Sequence, residues 1–515
     1  MIQKLYDAYL RSRTVTTDSR QLTPGCLFFA LKGEHFDGNA FVPQALEQGA
    51  AVCVTSDGRY RGDERCVVVN DVLAALQQLA AEHRRHLDIP VIGITGTNGK
   101  TTTKELVTAV LARRYRVSAT KGNFNNHLGV PLTLLAIPQE AEIAVVEMGA
   151  NHPGEIEQLC RIADPDCGLI TNVGRAHLEG FGSFEGVVQT KTELYRYLGA
   201  KGSEKGVKGS ERTKPVLFVN ADSERLMHEA ERLATIPGLR SVIPAYQPDN
   251  PAFVPSAIER TPLSPLTYGT GSDADVRGTL VRLEVGGRRS EGGGRRSEGG
   301  GRRSEVASAL QPPTSDFQLP PSDLQLPPSP YLHFYFEVGD NVYNVRTHLL
   351  GAYNLDNCLA ATAVGLHFGV EPFDIKEAIE AYVPSNNRSQ YKRTERNELY
   401  LDCYNANPSS MAAAIASFGQ LAAAHKVAII GGMHELGRDE HKEHQRLVEQ
   451  LMVCGLEKCY LVGSEFDGID LTEGMRRFAD TDELHAYFVK SPLAGATILV
   501  KGSNTNRLWT LEDVL

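Results

Sequence analysis

Short dense apolar runs alternate along this chain with stretches in which apolar residues recur every three or four positions. That alternation predicts strands buried on both faces and joined by helices, the pattern of α/β domains with mainly parallel sheets. Over residues 1–85, the runs Leu27–Leu31, Ala51–Val54 and Cys66–Val69 read as strands, while Phe41–Gln48 and Val72–His83 have helical spacing. A small N-terminal α/β domain is expected there. Residues 86–384 supply Val91–Thr95, Ile143–Val146, Gly168–Thr171 and Val216–Asn220 as strands, with a helix from Lys100 to about Arg114. A later helix places Leu355, Cys358, Leu359, Ala363 and Leu366 on one face, and Asn354 suits its N-cap. Beyond Pro384 the runs Leu399–Asp402, Val427–Gly432, Leu461–Val462 and Ile498–Val500 describe a Rossmann-like unit over residues 385–515. It lacks G-x-G-x-x-G, so a dinucleotide is not indicated.

Two stretches break the pattern. Residues 201–214 are rich in Lys, Gly, Ser and Glu and read as a surface insertion. In Gly286–Glu305 the sequence GGRRSEG recurs with a period of seven, and a second repeat of the same period covers Ser315–Pro321 and Ser322–Pro328. Neither composition can bury a core, so disorder is the expectation. The β-like flanks Gly278–Val285 and Tyr331–Val345 suggest that the run interrupts a hairpin of the central domain.

Composition narrows the function classes. With 515 residues, 42% of them hydrophobic, the chain supports several domains with real cores. A net charge of −10 argues against general nucleic-acid binding. Nine cysteines without a C-x-x-C pair suit free thiols in a reducing compartment. The start, MIQKLYDAYLRSR, lacks the apolar core of a signal peptide, and no run is long enough for a membrane span. A cytoplasmic protein without a membrane or nucleic-acid partner is expected.

Chemistry concentrates in VIGITGTNGKTTTKE, Val91–Glu105. A strand, a glycine-rich turn through Gly96 and Gly99, and a helix starting at Lys100 make an anion cradle lined by backbone N–H groups and the helix dipole. Lys100 is placed to reach the β/γ-phosphates, and the Thr101 hydroxyl to hold Mg²⁺. The spacing departs from G-x-x-x-x-G-K-[ST], because five residues, not four, separate Gly93 from Gly99. With this loop the fold class becomes α/β in three domains: a small N-terminal α/β domain, a central P-loop ATPase domain with a mainly parallel sheet, and a C-terminal Rossmann-like domain.

Two further strand ends carry polar groups to the same edge, where open α/β sheets bind ligands. Ile143–Val146 ends in Glu147, a candidate Mg²⁺ ligand, and Gly168–Thr171 leads to His177. Lys191 taken alone reads as a solvated helix lysine. Asn123, Asn125, Asn126 and His127 crowd one connection, which a structural loop would also explain. Asp18-Ser19-Arg20 reads as a simple turn.

In order along the chain, GITGTNGKTTT at Gly93, EMGANHPGEI at Glu147, TNVGRAHLEGFGS at Thr171, KTEL at Lys191, NLDNCLAA at Asn354, NRSQ at Asn387 and DCYNANPSSM at Asp402 resemble the Mur ligase family. The resemblance covers nearly the whole chain. Its YNANP motif and its DSR…PGCLFFALKGEHFDG pattern are similar to the members that join D-alanyl-D-alanine to UDP-N-acetylmuramoyl-tripeptide. It implies ATP and Mg²⁺, two ions, as cofactors, and catalytic roles for Lys100, His177, Lys191 and Arg388. ATP would be held by Gly96, Thr97, Asn98, Gly99, Lys100, Thr101, Thr102, Asn354, Asn357, Arg388, Asp402 and Asn405. Thr101, Glu147, His177 and Lys191 would hold metal, Lys191 as a carbamate formed with CO₂. Ser19 and Arg20 would lie near the uridine nucleotide, Asn125 and Asn126 near the muramoyl-peptide, and Tyr404 and Asn407 on the substrate edge of the last domain. Small-molecule substrates and a monomer follow from the same likeness.

The chain departs from the family in Gly431-Gly432-Met433-His434-Glu435-Leu436-Gly437, where an acid usually follows the first glycine, and in Lys501-Gly502-Ser503-Asn504, where arginine usually ends the motif. Another amide ligase of the same fold, such as a folylpolyglutamate synthetase, is the nearest rival reading. A non-enzymatic nucleotide switch is a second, without an N-K-x-D motif to support it. Replacing residues 286–328 by a short turn is expected to leave turnover within a few-fold, because shortening a surface insertion changes loop-closure entropy little; steady-state kinetics of the deletion protein checks this.

Overall fold

The computed structural model describes residues 1–203, 215–234, 266–271, 274–280, 330–339, 341–385 and 388–515. The repeats, and the 201–214 insertion beyond residue 203, lie outside them. Three sheets organise the described residues. The first has four parallel strands in sequence order, β1 (Val15–Thr16), β2 (Leu27–Phe29), β3 (Val52–Thr55) and β4 (Cys66–Val68).

The second sheet comprises β5 (Val91–Thr95), β6 (Val117–Ala119), β7 (Ile143–Glu147), β8 (Cys167–Ile170), β9 (Val216–Asn220), β10 (Leu266–Gly269), β11 (Val276–Leu280), β12 (Tyr331–Val338) and β13 (Asn341–Leu350). Their order is β13-β12-β11-β10-β9-β8-β5-β7-β6. Strands β6 to β11 run parallel, and β12 and β13 close one side as an antiparallel pair. β11 pairs antiparallel with β12, Leu280 opposite Phe334, so the repeat run does connect neighbouring antiparallel strands.

The third sheet, β14 (Gln390–Arg393), β15 (Glu398–Asp402), β16 (Lys426–Gly431), β17 (Lys458–Val462), β18 (Met475–Phe478) and β19 (Thr497–Lys501), has the order β14-β15-β19-β16-β17-β18. Only β14 runs antiparallel.

β5 is apolar and wholly buried because helices cover both faces of its sheet, as a parallel strand requires. It sits between β7 and β8, and the chain reaches β6 and β7 on one side before crossing to β8 on the other. That reversal opens a crevice at the carboxyl ends of these strands. The helix Lys100–Leu111 leaves β5 with Gly99 as its N-cap, in left-handed backbone at φ 75°. A Cβ on Gly99 would lie 2.5 Å from Asn357 Oδ1, so only glycine fits there.

One helix was not read from the sequence, and two expectations are corrected. Residues 2–12 form the helix Ile2–Ser12, which packs Leu5, Tyr6, Ala8 and Tyr9 inward. The helix Asn354–His367 is capped at Tyr353 without a side-chain bond, and Asn354 is buried inside its first turn. Its amide donates to Leu350 O at 2.7 Å and accepts from Asn357 at 2.7 Å, so the side chain is spent on tertiary contacts. Lys191, read as solvated, is 2% exposed, because the helix Phe184–Lys191 packs on the helices Glu155–Ala163 and Leu178–Phe181.

The first and second sheets share one apolar core, in which the helix Val72–Arg85 packs on the helices Gly129–Leu135 and Glu155–Ala163. Arg84 fastens this junction. Its guanidinium donates to Ala163 O at 3.0 Å and meets Asp166 Oδ2 at 2.6 Å, and that oxygen also accepts from Val91 N at 3.0 Å. Among the described residues no helix is long and apolar enough to cross a membrane. Arg84→Met would leave the buried Asp166 without its main cation, and stability is expected to fall by about 3–5 kcal/mol, read from urea unfolding.

Candidate active site

The ligand edge of the central sheet faces the third domain across a cavity of about 840 Å³. From the turn after β5 and the start of the helix Lys100–Leu111 come Thr97, Asn98, Gly99, Lys100, Thr101 and Thr102; from β7, Glu147; from the loop after β8, His177. Asn125 and Asn126 line it from the loop after β6, Asn354 and Asn357 from the helix Asn354–His367. The third domain adds Arg388, Asp402, Tyr404 and Asn405. Sequence positions hundreds of residues apart therefore converge on one space.

Inside the loop, Lys100 Nζ folds back onto Gly96 O at 2.8 Å and Thr97 O at 3.0 Å. Burial lowers its pKa, against the pull of Glu147, and the neighbouring Arg388 lowers it further. A phosphate at this point would relieve a desolvated cation. The loop is braced from β8: Asn98 N donates to Asn172 Oδ1 at 3.0 Å, and Thr171 Oγ1 donates to Asn98 O at 2.6 Å.

Glu147 is 1% exposed. Its Oε1 accepts from Asn125 Nδ2 at 2.8 Å and Thr101 Oγ1 at 3.2 Å. Its Oε2 is buried with no hydrogen-bond partner and faces Lys104 Nζ at 4.0 Å. A buried carboxylate oxygen left open in this way is costly unless something positive arrives.

Lys191 lies behind the cavity rather than on its wall. Its Nζ donates to Ala150 O at 3.3 Å and sits 5.3 Å from the centre of the Phe181 ring. Burial drives its pKa well below the ordinary lysine value, and Lys100 adds repulsion. His177 is likewise pushed down by burial, an effect that Glu435 opposes and the two lysines reinforce.

The third domain touches this machinery directly. Asn407 Nδ2 donates to Asn98 Oδ1 at 2.7 Å, and Arg175 N donates to Ser409 Oγ at 2.7 Å. Asn407 also caps the helix Pro408–Gly419. Arg388 stacks 3.6 Å over the Tyr404 ring, and Asp402 pairs with Lys501 at 2.5 Å. Gly96 is not among the cavity's lining residues; its φ is 142° and a Cβ there would collide with Thr171 Oγ1, so the turn needs glycine. Ser19 and Arg20 stand off the cavity on the turn Ser19–Gln21 of the first domain, with Arg20 paired to Asp18 and 87% exposed. The sequence reading missed Lys501, Ser409, Ser410 and Glu155 as cavity residues, and Glu435 as the partner of His177; all but Glu155, which starts the helix Glu155–Ala163 of the central domain, acquire their place through the packing of the domains.

A phosphate loop at the turn of a parallel sheet, a buried carboxylate beside it and an arginine from another domain are the parts an ATP-driven enzyme uses. The comparisons agree. Residues 12–85 match the Mur ligase family catalytic domain, 94–235 the Mur ligase middle domain and 387–504 the Mur ligase glutamate ligase domain. A curated Bacillus subtilis protein named UDP-N-acetylmuramoyl-tripeptide–D-alanyl-D-alanine ligase is 31% identical, covering 94% of this chain and 86% of that protein. Its Escherichia coli namesake is 30% identical over 99% and 95%. A crystal structure of MurF from Acinetobacter baumannii superposes with a TM-score of 0.74 at 26% identity, covering 100% of this chain and 98% of that one. The chain belongs to the Mur ligase family, and it is a ligase that forms amide bonds at the expense of ATP.

Two outcomes test this geometry. Lys100→Ala is expected to lower turnover by about 10²–10³-fold with an unchanged circular dichroism spectrum. For Lys191, the native amine holds fewer protons than the unfolded one. Stability of the protein in CO₂-free buffer should therefore rise with pH toward the ordinary lysine value of 10.5. Lys191→Met should flatten that slope in urea unfolding.

Proposed function

We propose that this chain joins D-alanyl-D-alanine to UDP-N-acetylmuramoyl-tripeptide with conversion of ATP to ADP and phosphate, a cytoplasmic step of peptidoglycan precursor synthesis. The observation that carries it is the meeting of Arg388, Asn405 and Asn407 from the third domain with the phosphate loop around one cavity. The relatives that match nearly the full length carry the same activity in their names. We assign residues 1–85 to the uridine-nucleotide domain, with Ser19 and Arg20 near that ligand, 86–384 to the ATP domain, and 385–515 to the domain that receives the dipeptide. The enzyme acts as a monomer.

A carboxylate does not condense with an amine in water, because its oxygen leaves poorly. Transfer of the γ-phosphoryl group to the tripeptide carboxylate forms an acyl phosphate, and the neutral amine then attacks its carbonyl carbon with phosphate departing. Lys100 and Arg388 bind the phosphoryl oxygens and offset their charge. Backbone N–H groups of Gly96–Thr102 cradle the β-phosphate. Asn354 and Asn357 face the nucleotide, and Asp402 and Tyr404 hold Lys501 and Arg388 in register. Asn125 and Asn126 lie where the peptide carboxylate must come. Closure of the third domain keeps water from the acyl phosphate, and positioning alone can supply about 7–11 kcal/mol of the barrier.

The open Glu147 oxygen beside the Thr101 hydroxyl fits a hard divalent cation. Mg²⁺ bound there, and a second ion near His177 and Lys191, would neutralise the transferring phosphoryl group. Among the described residues no three His, Cys, Asp or Glu side chains converge, so a carbamate on Lys191 would supply the missing anionic ligand. Lys191 suits it, since burial favours the neutral amine that reacts with CO₂.

ADP release across a grid of UDP-muramoyl acceptors and amines checks the reaction. Turnover is expected only with the tripeptide acceptor, and with D-alanyl-D-alanine far ahead of single amino acids and L-dipeptides. Preference for a single amino acid, or for an acceptor without a peptide, would assign the chain to another step.

A further inference from the structure

Beyond the cavity wall, one contact joins the central domain to the third in an unusual way. His177 Nδ1 is hydrogen-bonded to the Glu435 carboxylate, 258 residues away in sequence. Around it Glu179 N meets Glu435 O at 3.4 Å, and a Cβ on Gly437 would lie 3.2 Å from the Glu179 side chain. The helix Leu178–Phe181 thus lies directly against the turn Gly437–Asp439.

Both partners are held in left-handed backbone, His177 at φ 49° and Glu435 at φ 62°. Six non-glycine residues do this among those described, and two of the six are the two ends of this one contact. Such backbone is disfavoured for residues with a side chain and persists where the surroundings impose it. Here it aims each side chain across the domain boundary rather than into its own domain.

His177 lines the cavity. With Nδ1 taken by Glu435, its remaining ring nitrogen is the one left for the reaction space, in a single ring orientation. Glu435 reaches it only when the third domain lies against the central one. We propose that Glu435 is a positioning residue that orients His177 on domain closure, so that the site is complete only in the closed enzyme. This rests on the ligase reading and adds a cross-domain residue to it.

A double-mutant cycle in the full-length enzyme tests the proposal, using Glu435→Gln, which keeps size and removes charge, together with His177→Gln. Glu435→Gln is expected to lower kcat at least tenfold while KM for ATP stays within twofold, and Glu435→Asp to restore part of the loss. In the His177→Gln background, Glu435→Gln should cost nothing further, since residues acting through one another are not additive. Small-angle scattering with a non-hydrolysable ATP analogue should show a smaller compaction for Glu435→Gln than for the parent enzyme. Additive losses, an unchanged kcat in the single variant or unaltered compaction would overturn the proposal. Failure of the unmodified enzyme to use D-alanyl-D-alanine would defeat only the substrate assignment, because the cycle can be run with whichever amine the enzyme accepts.

Discussion

Lysines drawn out of water around one buried carboxylate set the terms for this structure. Glu147 and Lys104 are buried side by side at the sheet edge, Lys191 is buried behind the cavity, and half-buried Lys100 folds back into the phosphate loop. Burial disfavours the charged forms of Lys100 and Lys191, and for Lys191 the repulsion of Lys100 adds to it. The fold accepts this because β5, β7 and β8 are rigid, apolar strands that place their polar ends by register. What the protein leaves uncompensated, a polyphosphate and a cation can complete. The site is therefore unstable toward emptiness in the direction that favours binding.

Domain arrangement turns that pocket into a reaction chamber. The first domain is fused to the second through a continuous core and the Arg84–Asp166 pair. The third domain instead meets the second through polar contacts such as Asn407 with Asn98 and Arg175 with Glu443. Polar interfaces of this kind separate at lower cost than apolar ones. One junction is suited to stay fixed and the other to open and close, which is what loading three substrates and excluding water requires.

The local structure bears on both departures from the family pattern and accounts for the first. A side chain on Gly432 would come within 2.5 Å of the Glu465 carboxylate, so an acid arriving from β17 occupies the space beside β16. Ser503 and Asn506 bond one another where the terminal motif ends in asparagine, and fix the turn after β19.

Short apolar runs were enough to locate the central strands, because a strand buried on both faces must be apolar along its length. Val91–Thr95 and Val216–Asn220 have the bounds read from sequence. The phosphate loop was legible for a similar reason, since strand, glycine turn and helix start are all local. Edge strands such as β14 and β18 were not, because one side is exposed and no apolar run marks them. Nor could local pattern reveal that Lys191 is buried, that Asn354 bonds within its helix and to the preceding strand rather than capping, or that Glu435 meets His177. Those facts depend on which surfaces touch after folding. Sequence periodicity determines the elements and the chemistry each can carry; packing of separate domains decides which side chains lose water and which partners they find.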